Sequence, residues 1–515
     1  MNKPFSRVAA VKAAALMATS TYVTVALGLV VSAVIARSLG PDDYGRYAYL
    51  LWLSGLLVVL GVNGFGISAI RFISESIGKG LPDTASNIHG WLRRRQLLSA
   101  IGMAVVFALV FPWVKPAGWE GQTGLLVAVV IVSVMAKTMY LFDVSVAKGH
   151  GLFSVEAWST MVMSLIYTSG VVMLALLHAT LSAYLIFFAM VSVGHMVVIR
   201  PMMKRLDVKP GRGPCDEELL SRVKSHWAWT VVQVSVATLS NKTIETFLLN
   251  SLIGPAEVGY FAIATNLTRG AVELVSSSLT TLLMPAMAHA YGAGGMKQVN
   301  AILSDALRYS MFLGLMIAGL GTLWAALGVG LMYGAKYAPV VHVLQAMVLI
   351  GGLTLTEGAF GAVLSTTDNQ RVRAYVALLS VGISAAAALI LVPRYGLMGA
   401  VMAHAITRLT LLSVMTLFIT NLLKLSLPWR ELARLGASAG LAALLAGGLV
   451  WLHPHVLVEF AAGIVYAVVF IIATVWFKGW RAKDARLLAS LAGRKPALTG
   501  RWVPTLERWA SRLPE

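Results

Sequence analysis

Eight charged side chains interrupt the long apolar stretches of this sequence. A guanidinium can bind two phosphate oxygens at once, and an ammonium acts as a point charge, so the cations among them suit a phosphate-bearing ligand. An acid beside a cation could bind Na⁺ or a proton and so couple ion movement to transport. The four cations are Lys137, Lys242, Arg269 and Arg408, and the four acids are Asp143, Glu245, Glu273 and Glu357.

The stretches that carry these charges are typical of membrane-spanning helices. Hydrophobic residues make up 58% of the 515 residues, and Asp, Glu, Lys and Arg only 12%. A soluble fold could not bury that much apolar surface. Because about 20 apolar residues cross the hydrocarbon core, we predict an all-α polytopic membrane protein with 14 transmembrane helices. The predicted spans are 13–35, 46–69, 97–114, 123–147, 157–177, 180–199, 227–251, 257–287, 309–333, 339–364, 374–393, 396–422, 432–452 and 456–477.

The basic residues predict the orientation of these spans. The net charge is +19, but the basic residues gather in short gaps between apolar stretches, which argues against nucleic-acid binding. With the N-terminus inside, 32 of the 41 Lys and Arg fall in cytoplasmic segments and five on the other side. This asymmetry predicts that both termini are cytoplasmic. A single cysteine, Cys215, excludes an intrachain disulfide, and no metal site is expected.

A short motif recurs at an offset of 214 residues. LGPDDYGRYA at 39–48 matches IGPAEVGYFA at 253–262, and the same offset carries the first predicted span onto the seventh. Gly-Pro makes a tight turn between helices, and the next glycine lets the second helix begin close by. An even number of spans separates the copies, so the two halves should have parallel topology. The shared positions are Gly40, Pro41 and Gly45 in the first copy, and Gly254, Pro255 and Gly259 in the second.

The duplication predicts the domain organisation. Two six-helix lobes are related by a pseudo-two-fold axis, and a C-terminal helix pair follows them. The predicted segments are a cytoplasmic N-terminus (1–12), an N-lobe (13–200), a cytoplasmic linker (201–226), a C-lobe (227–423), the appended pair (424–477) and a basic cytoplasmic tail (478–515).

Four segments in this order resemble bacterial oligosaccharide flippases of the MOP superfamily, the polysaccharide biosynthesis proteins that export O-antigen and exopolysaccharide repeat units. They are IARSLGPDDYGRYAYL, ETFLLNSLIGPAEVGYFAIATNL, LMYGAKYAPVVHVLQAMVLIGG and VPRYGLMGAVMAHAIT. The resemblance implies two bundles of six helices around a central cavity that opens alternately to each side. It also implies an undecaprenyl-pyrophosphate-linked oligosaccharide as the substrate.

Two interpretations of the intramembrane charges remain open. Each charge costs ~2.5–3.5 kcal/mol at a helix centre unless it is paired or hydrated. In the first, the four cations line a wet cavity that receives the pyrophosphate. In the second, each cation is neutralised, Lys242 by Glu245 and Arg269 by Glu273 on one helix face. Asp143 and Glu357 would then be available across helices to Lys137 and Arg408. Both can hold if substrate releases the cations, and Glu245 and Glu357 are the candidates for Na⁺ or proton coupling.

These features predict a transporter and not an enzyme, because the sequence has no Walker segment and no soluble catalytic domain. We predict a flippase of the bacterial inner membrane that works by alternating access. A peptidoglycan lipid-precursor flippase and a multidrug or cation antiporter of the same superfamily are the alternatives. The expected partners are the lipid bilayer, the lipid-linked glycan, and a polymerase or the chain-length or export proteins of the same pathway, and the protein itself is expected to be a monomer.

Overall fold

A computed structural model describes residues 7–62, 64–114, 122–205, 207–239, 243–367, 370–452, 455–493 and 503–511. Within these ranges every regular element is a helix. The α-helices are α1 (Arg7–Val62), α2 (Phe65–Gly78), α3 (Pro82–Val114), α4 (Thr123–Gly149), α5 (Phe153–Leu176), α6 (Leu181–Arg205), α7 (Glu217–Leu239), α8 (Thr243–Leu248), α9 (Pro255–Thr268), α10 (Leu274–Leu323), α11 (Ala325–Tyr333), α12 (Val340–Leu353), α13 (Glu357–Thr366), α14 (Gln370–Leu417), α15 (Trp429–Leu452), α16 (Val456–Trp476), α17 (Ala482–Gly493) and α18 (Val503–Ala510).

Short irregular helical segments join several of these helices. Three are π-helical, at Leu249–Ile253, Arg269–Glu273 and Phe418–Leu422. Two are single 3₁₀ turns, at Ala335–Tyr337 and Thr354–Thr356. Such segments interrupt the regular hydrogen-bond ladder of an α-helix and occur frequently at functional sites.

Ten helices in the described part of the chain are long and apolar enough to cross a membrane. Two of them, Ala15–Gly78 and Tyr375–Leu422, have 64 and 48 residues, whereas one span needs about 20. Each contains a glycine with positive φ, Gly40 at 78° and Gly396 at 54°, where the helix bends. The number of spans therefore depends on how these long helices are divided, and the count of fourteen stays a prediction.

The chain divides into two compact units. Unit 1 comprises Met1–Ile263, Met332–Tyr337 and Ala377–His404, and unit 2 comprises Ala264–Leu331, Ala338–Val376 and Ala405–Glu515. Both units are assembled from separate stretches of sequence. The predicted segment boundaries, including those of the N-lobe and C-lobe, stay a prediction.

Helix α4 lies at the centre of unit 1, where it packs against α1, α2, α3 and α6. Large apolar side chains from these helices form one buried cluster that includes Phe65, Phe72, Leu92, Phe142 and Ile199. Burial of apolar area, at roughly 25 cal/mol per Å², holds these helices together. The polar side chains of α4 are therefore fixed in position by their surroundings.

Helix α10 has the same role in unit 2, where it packs against α12, α13, α15 and α16. Small residues of α15, among them Ala439, Ala442 and Ala446, are buried with Ala462 and Tyr466 of α16. Small side chains let helices approach closely inside a membrane. The helix pair that the sequence places after the duplication thus packs on α10.

The two copies of the repeated motif meet inside unit 1. Gly40 and Gly254 both have positive φ, and Pro255 begins α9. A Cβ added to Gly45 would overlap the carbonyl oxygen of Pro255, and one added to Gly259 would lie 3.1 Å from the Cα of Gly45. The glycines after the Gly-Pro turns therefore allow one copy of the motif to pack against the other, a contact that the sequence alone does not predict.

Candidate functional site

The structure locates six of the eight intramembrane charged side chains. Lys242 lies outside the described residues, as does the side chain of Glu273. Lys137, Asp143 and Glu245 belong to unit 1, and Arg269, Glu357 and Arg408 belong to unit 2. The proposed local pairs Lys242–Glu245 and Arg269–Glu273 stay predictions.

Lys137, on the buried helix α4, faces a histidine of α6. Its Nζ lies 3.3 Å from Nε2 and 3.4 Å from Nδ1 of His195, and 5.8 Å from the centre of the Tyr140 ring. Within the described chain, Lys137 forms no ion pair with a carboxylate. A cation beside a neutral ring and an aromatic face keeps its charge available to an anion.

His195 is held in one orientation by its own helix. Its Nδ1 lies 2.9 Å from the carbonyl oxygen of Val191, one turn earlier in α6. A carbonyl only accepts hydrogen bonds, so Nδ1 carries the hydrogen of the neutral ring. Nε2 then has a free lone pair. The Lys137 ammonium is almost equidistant from the two ring nitrogens, so it lies beside the ring and leaves this lone pair unused. The imidazole is 8% exposed.

Asp143, six residues after Lys137 in α4, is neutralised by a cation of another helix. Its Oδ1 accepts a short hydrogen bond from Nη1 of Arg93 in α3. The Arg93 guanidinium also lies 5.8 Å from the centre of the Phe142 ring. Asp143 therefore pairs with an arginine that the charge pattern of the sequence places among the cytoplasmic residues, and not with Lys137.

Glu245 is buried at the start of unit 1's helix α8, directly before the π-helical segment Leu249–Ile253. Its Oε1 accepts a hydrogen bond of 2.9 Å from the Ser384 hydroxyl in α14. Only 1% of Glu245 is exposed. The carboxylate and hydroxyl oxygens are ligands of the kind that coordinate Na⁺, and the carboxylate can also bind a proton.

In unit 2, Arg408 and Glu357 form an ion pair across two helices. Nη1 of Arg408 in α14 lies 2.9 Å from Oε2 of Glu357. Glu357 is the first residue of α13, directly after the 3₁₀ turn that separates α12 from α13. Its other carboxylate oxygen, Oε1, is buried and has no hydrogen-bond partner in the described part of the molecule. Breaks in membrane helices are a common location for ion and substrate sites.

Arg269 begins the π-helical segment Arg269–Glu273 and its side chain is exposed in unit 2. The π-helical turn interrupts the continuous helix from α9 into α10. Arg269 and Glu357 of unit 2 therefore both lie where an otherwise regular helix is interrupted.

In unit 2, a further cluster of charged side chains connects helix α17 with α10. Arg308 is fully buried and donates hydrogen bonds to Asp484, at a distance of 3.3 Å from Nη2 to Oδ1, and to Asp305, at 2.6 Å. Tyr309 donates a second hydrogen bond of 2.6 Å to Asp484. Burial opposes ionisation of Asp484, but the hydrogen bonds from Arg308 and Tyr309 outweigh it and lower the pKa of this carboxyl.

Sequence reasoning misses the residues that partner the predicted charges. His195 and Ser384 are polar residues within predicted spans, but neither carries a formal charge, so a search for intramembrane charges does not find them. In the sequence, Arg93 and Arg308 count only as basic residues on the cytoplasmic side. That count does not predict their buried carboxylate partners, Asp143 and Asp484. No cluster of three or more His, Cys, Asp or Glu that could hold a metal ion occurs in the described residues.

Comparison with protein families and solved structures gives consistent results. A family model described as polysaccharide biosynthesis protein matches residues 10–290. The fold is similar to that of a lipid II flippase, MurJ, in an inward closed conformation, with a TM-score of 0.70 and 14% identity over 89% of this chain and 98% of that one. A search among curated proteins gives no match.

Multidrug transporters have the same fold. The similarity to an inward-facing multidrug resistance MATE family transporter of the MOP superfamily has a TM-score of 0.60 and 15% identity, over 78% of this chain and 93% of that one. A mutant of the Vibrio cholerae MATE transporter VcmN gives 0.56 and 17%, over 80% and 96%. The fold class predicted from the sequence, an all-α polytopic membrane protein like the MOP flippases, is thereby confirmed.

Proposed function

The chain belongs to the polysaccharide biosynthesis protein family, as its sequence motifs predict, and from this premise we propose that it is a flippase for undecaprenyl-pyrophosphate-linked oligosaccharides. Such a substrate has a polar head that cannot cross hydrocarbon and a lipid tail that need not leave it. A transporter of this fold would pass the head through its interior while the tail stays in the bilayer. The repeat unit would serve O-antigen or exopolysaccharide synthesis.

Lys137 is the observation that carries the proposal. It is a half-buried cation in a membrane-spanning helix, and the described chain supplies it with a neutral histidine and no carboxylate. A charged side chain without a counter-charge is energetically costly in a membrane-spanning helix, so we expect this one to bind a ligand. The ammonium would bind the pyrophosphate as a point charge. Lys242, Arg269 and Arg408 are the further candidates for contact with the head group.

Arg408 differs because Glu357 already neutralises it. We propose that arriving pyrophosphate competes with Glu357 for the guanidinium and releases the carboxylate, which then binds Na⁺ or a proton. Glu245 is the second candidate for coupling, and Asp143 and Glu273 are proposed to neutralise cations. A ligand shifts a conformational equilibrium only by its differential affinity for the two states, and release of Glu357 would provide such a difference.

The peptidoglycan lipid precursor is the second candidate substrate. The similarity to the lipid II flippase extends over 89% of the chain, more than the similarity to the two multidrug transporters. A multidrug or cation antiporter would favour an acidic interior, whereas Lys137 is a cation to which the described residues supply no carboxylate. We propose that the protein lies in the bacterial inner membrane, and the asymmetry of its basic residues supports cytoplasmic positions for both termini. If the substrate is the oligosaccharide lipid, we propose that the protein is a monomer and that its partners are a polymerase or the chain-length or export proteins of the same pathway.

Reconstitution tests the proposal directly. The full chain is placed in vesicles with a fluorescent undecaprenyl-pyrophosphate-linked oligosaccharide, and loss of fluorescence to an external quencher reports the lipid that has reached the outer leaflet. We expect faster translocation than in vesicles without protein, and faster than for a fluorescent lipid II. Equal or greater rates for lipid II would support the second candidate, and no translocation of either lipid would contradict both.

A further inference from the structure

Lys137 and His195 lie so close together that the charge of one affects the protonation of the other. His195 donates from Nδ1 to the Val191 carbonyl, and the Lys137 ammonium lies 3.3–3.4 Å from both ring nitrogens. A proton added to the histidine would have to sit on Nε2, 3.3 Å from the ammonium nitrogen. Two like charges at this distance repel strongly. The geometry therefore favours a charged lysine beside a neutral histidine.

The surroundings isolate this pair from other charges. Lys137 is the one charged group that acts on His195 in the described chain. The nearest other titratable side chain is Tyr140, whose hydroxyl is hydrogen-bonded to Ser159 and Thr160 of α5. Further along, Asp143 is neutralised by Arg93 of α3, and Glu156 of α5 by Lys148. The described residues of α1 and α2 place no charge against the pair.

We infer that Lys137 and His195 form a subsite that binds a phosphate-type anion together with one proton. The anion draws the Lys137 ammonium toward itself and offsets its charge. The lone pair of His195 Nε2 then takes up a proton from the buffer acid in the solvent, which becomes its conjugate base. The new N–H donates a second charge-assisted hydrogen bond to the anion. The subsite changes from one positive charge to two as the ligand arrives.

This inference rests on the proposed function and specifies how the same site handles the head group. A pyrophosphate ester has several negative charges, and one ammonium neutralises only part of them. An imidazolium that forms only when the anion binds would supply the second positive charge without the permanent free-energy cost of a second buried cation. His195 is thus assigned a role in binding the ligand, in addition to orienting Lys137.

Calorimetry in two buffers measures the proton uptake. Inorganic pyrophosphate is titrated into the purified full chain at pH 7.5, once in a buffer with a small ionisation enthalpy and once in a buffer with a large one. The difference in binding enthalpy gives the protons taken up. Because pyrophosphate itself titrates near this pH, the decisive quantity is the difference between the wild type and His195→Gln. The Gln amide can still donate to Val191, but it cannot take up a proton.

We expect the wild type to take up about one proton more than His195→Gln, since one imidazole titrates in the subsite. The exposed His342 provides the matched control, and His342→Gln should show the uptake of the wild type. Lys137→Met should bind pyrophosphate at least tenfold more weakly. Equal uptake in the wild type and His195→Gln would overturn the inference.

The outcomes for the subsite and for the flippase can be separated. If His195→Gln does not fold, the wild type is titrated instead with sulfate, which does not itself change protonation near pH 7.5. A sulfate-binding enthalpy that is independent of the buffer would then contradict proton uptake. A wild type that binds no pyrophosphate also overturns the subsite. In each of these cases, translocation of the fluorescent oligosaccharide lipid in vesicles would leave the proposed function standing.

Discussion

Lys137 of unit 1 and two arginines of unit 2 have different kinds of partner. In unit 1, Lys137 faces the neutral imidazole of His195, whereas in unit 2 Arg408 and Arg308 face carboxylates. Removing the carboxylate of a buried ion pair leaves the cation without a counter-charge and destabilises the protein. Removing a cation that has no counter-charge in the folded protein removes an uncompensated charge instead. The contrast suggests that the paired arginines stabilise the structure and that Lys137 serves the ligand. The predictions below concern the free energy of unfolding, since it should separate the two classes.

The largest effect is expected at the fully buried pair of unit 2. Asp484→Asn should lower the free energy of unfolding by about 3–5 kcal/mol, because it leaves the Arg308 charge without its main partner. Thermal unfolding of the protein in detergent measures the change. The exposed Asp207 provides a control, and Asp207→Asn should unfold like the wild type. An Asp484→Asn variant with wild-type stability would contradict the proposal that the buried Arg308–Asp484 pair stabilises the fold.

A smaller effect is expected at Glu357 and Arg408, because this pair is only partly buried, with the Arg408 side chain 33% exposed. Glu357→Gln should cost about 1 kcal/mol. The double variant Glu357→Gln/Arg408→Gln should recover part of that loss, which a double-mutant cycle from thermal unfolding would show. Additive effects of the two single changes would mean that the ion pair contributes nothing to stability.

The smallest effect is expected at Lys137. Lys137→Met should change the free energy of unfolding by less than about 1 kcal/mol, since the change removes a charge that no carboxylate compensates. The same thermal unfolding measures it. A loss as large as that of Asp484→Asn would show that Lys137 is structural, and the contrast between Lys137 and the paired arginines would fail.

The pH dependence sharpens the contrast in unit 2. The pKa of Asp484 is lowered in the folded protein, so its contribution is complete above the unfolded value of about 3.9 and is lost as the pH falls through the folded value. The stability difference between the wild type and Asp484→Asn should therefore be constant from pH 7 to pH 5 and shrink below pH 4. A difference that already disappears near pH 6 would contradict the lowered pKa.

The fold is largely predictable from the amino-acid sequence because lipid imposes strong constraints on composition. Apolar runs of about 20 residues, separated by basic gaps, are enough to identify the helices and the fold class. The predicted spans also separate at 36–45 and at 394–395, beside Gly40 and Gly396, where the structure bends α1 and α14 without ending either helix. The repeated Gly-Pro motif indicates a turn at Gly40 and at Gly254, but the contact of Gly45 with Pro255 depends on distant packing.

The site is predictable only as a set of charges. The sequence shows that Lys137, Asp143 and Glu357 lie in apolar stretches, but pairing depends on which helix faces meet. Asp143 pairs with Arg93, which local spacing could not indicate, and Glu357 pairs with Arg408, 51 residues away. His195 carries no formal charge in the usual count, so a search for charges does not find it, although it is the partner of Lys137.

Translocation by Lys137 variants tests the central claim most directly. In vesicles holding equal amounts of folded protein, the initial rate for the fluorescent oligosaccharide lipid is compared for the wild type, Lys137→Arg and Lys137→Met. Loss of a charge-assisted contact worth about 1.5–3 kcal/mol predicts a rate at least tenfold lower for Lys137→Met. Lys137→Arg should retain most of the activity. A Lys137→Met protein that translocates the lipid at the wild-type rate would contradict the account.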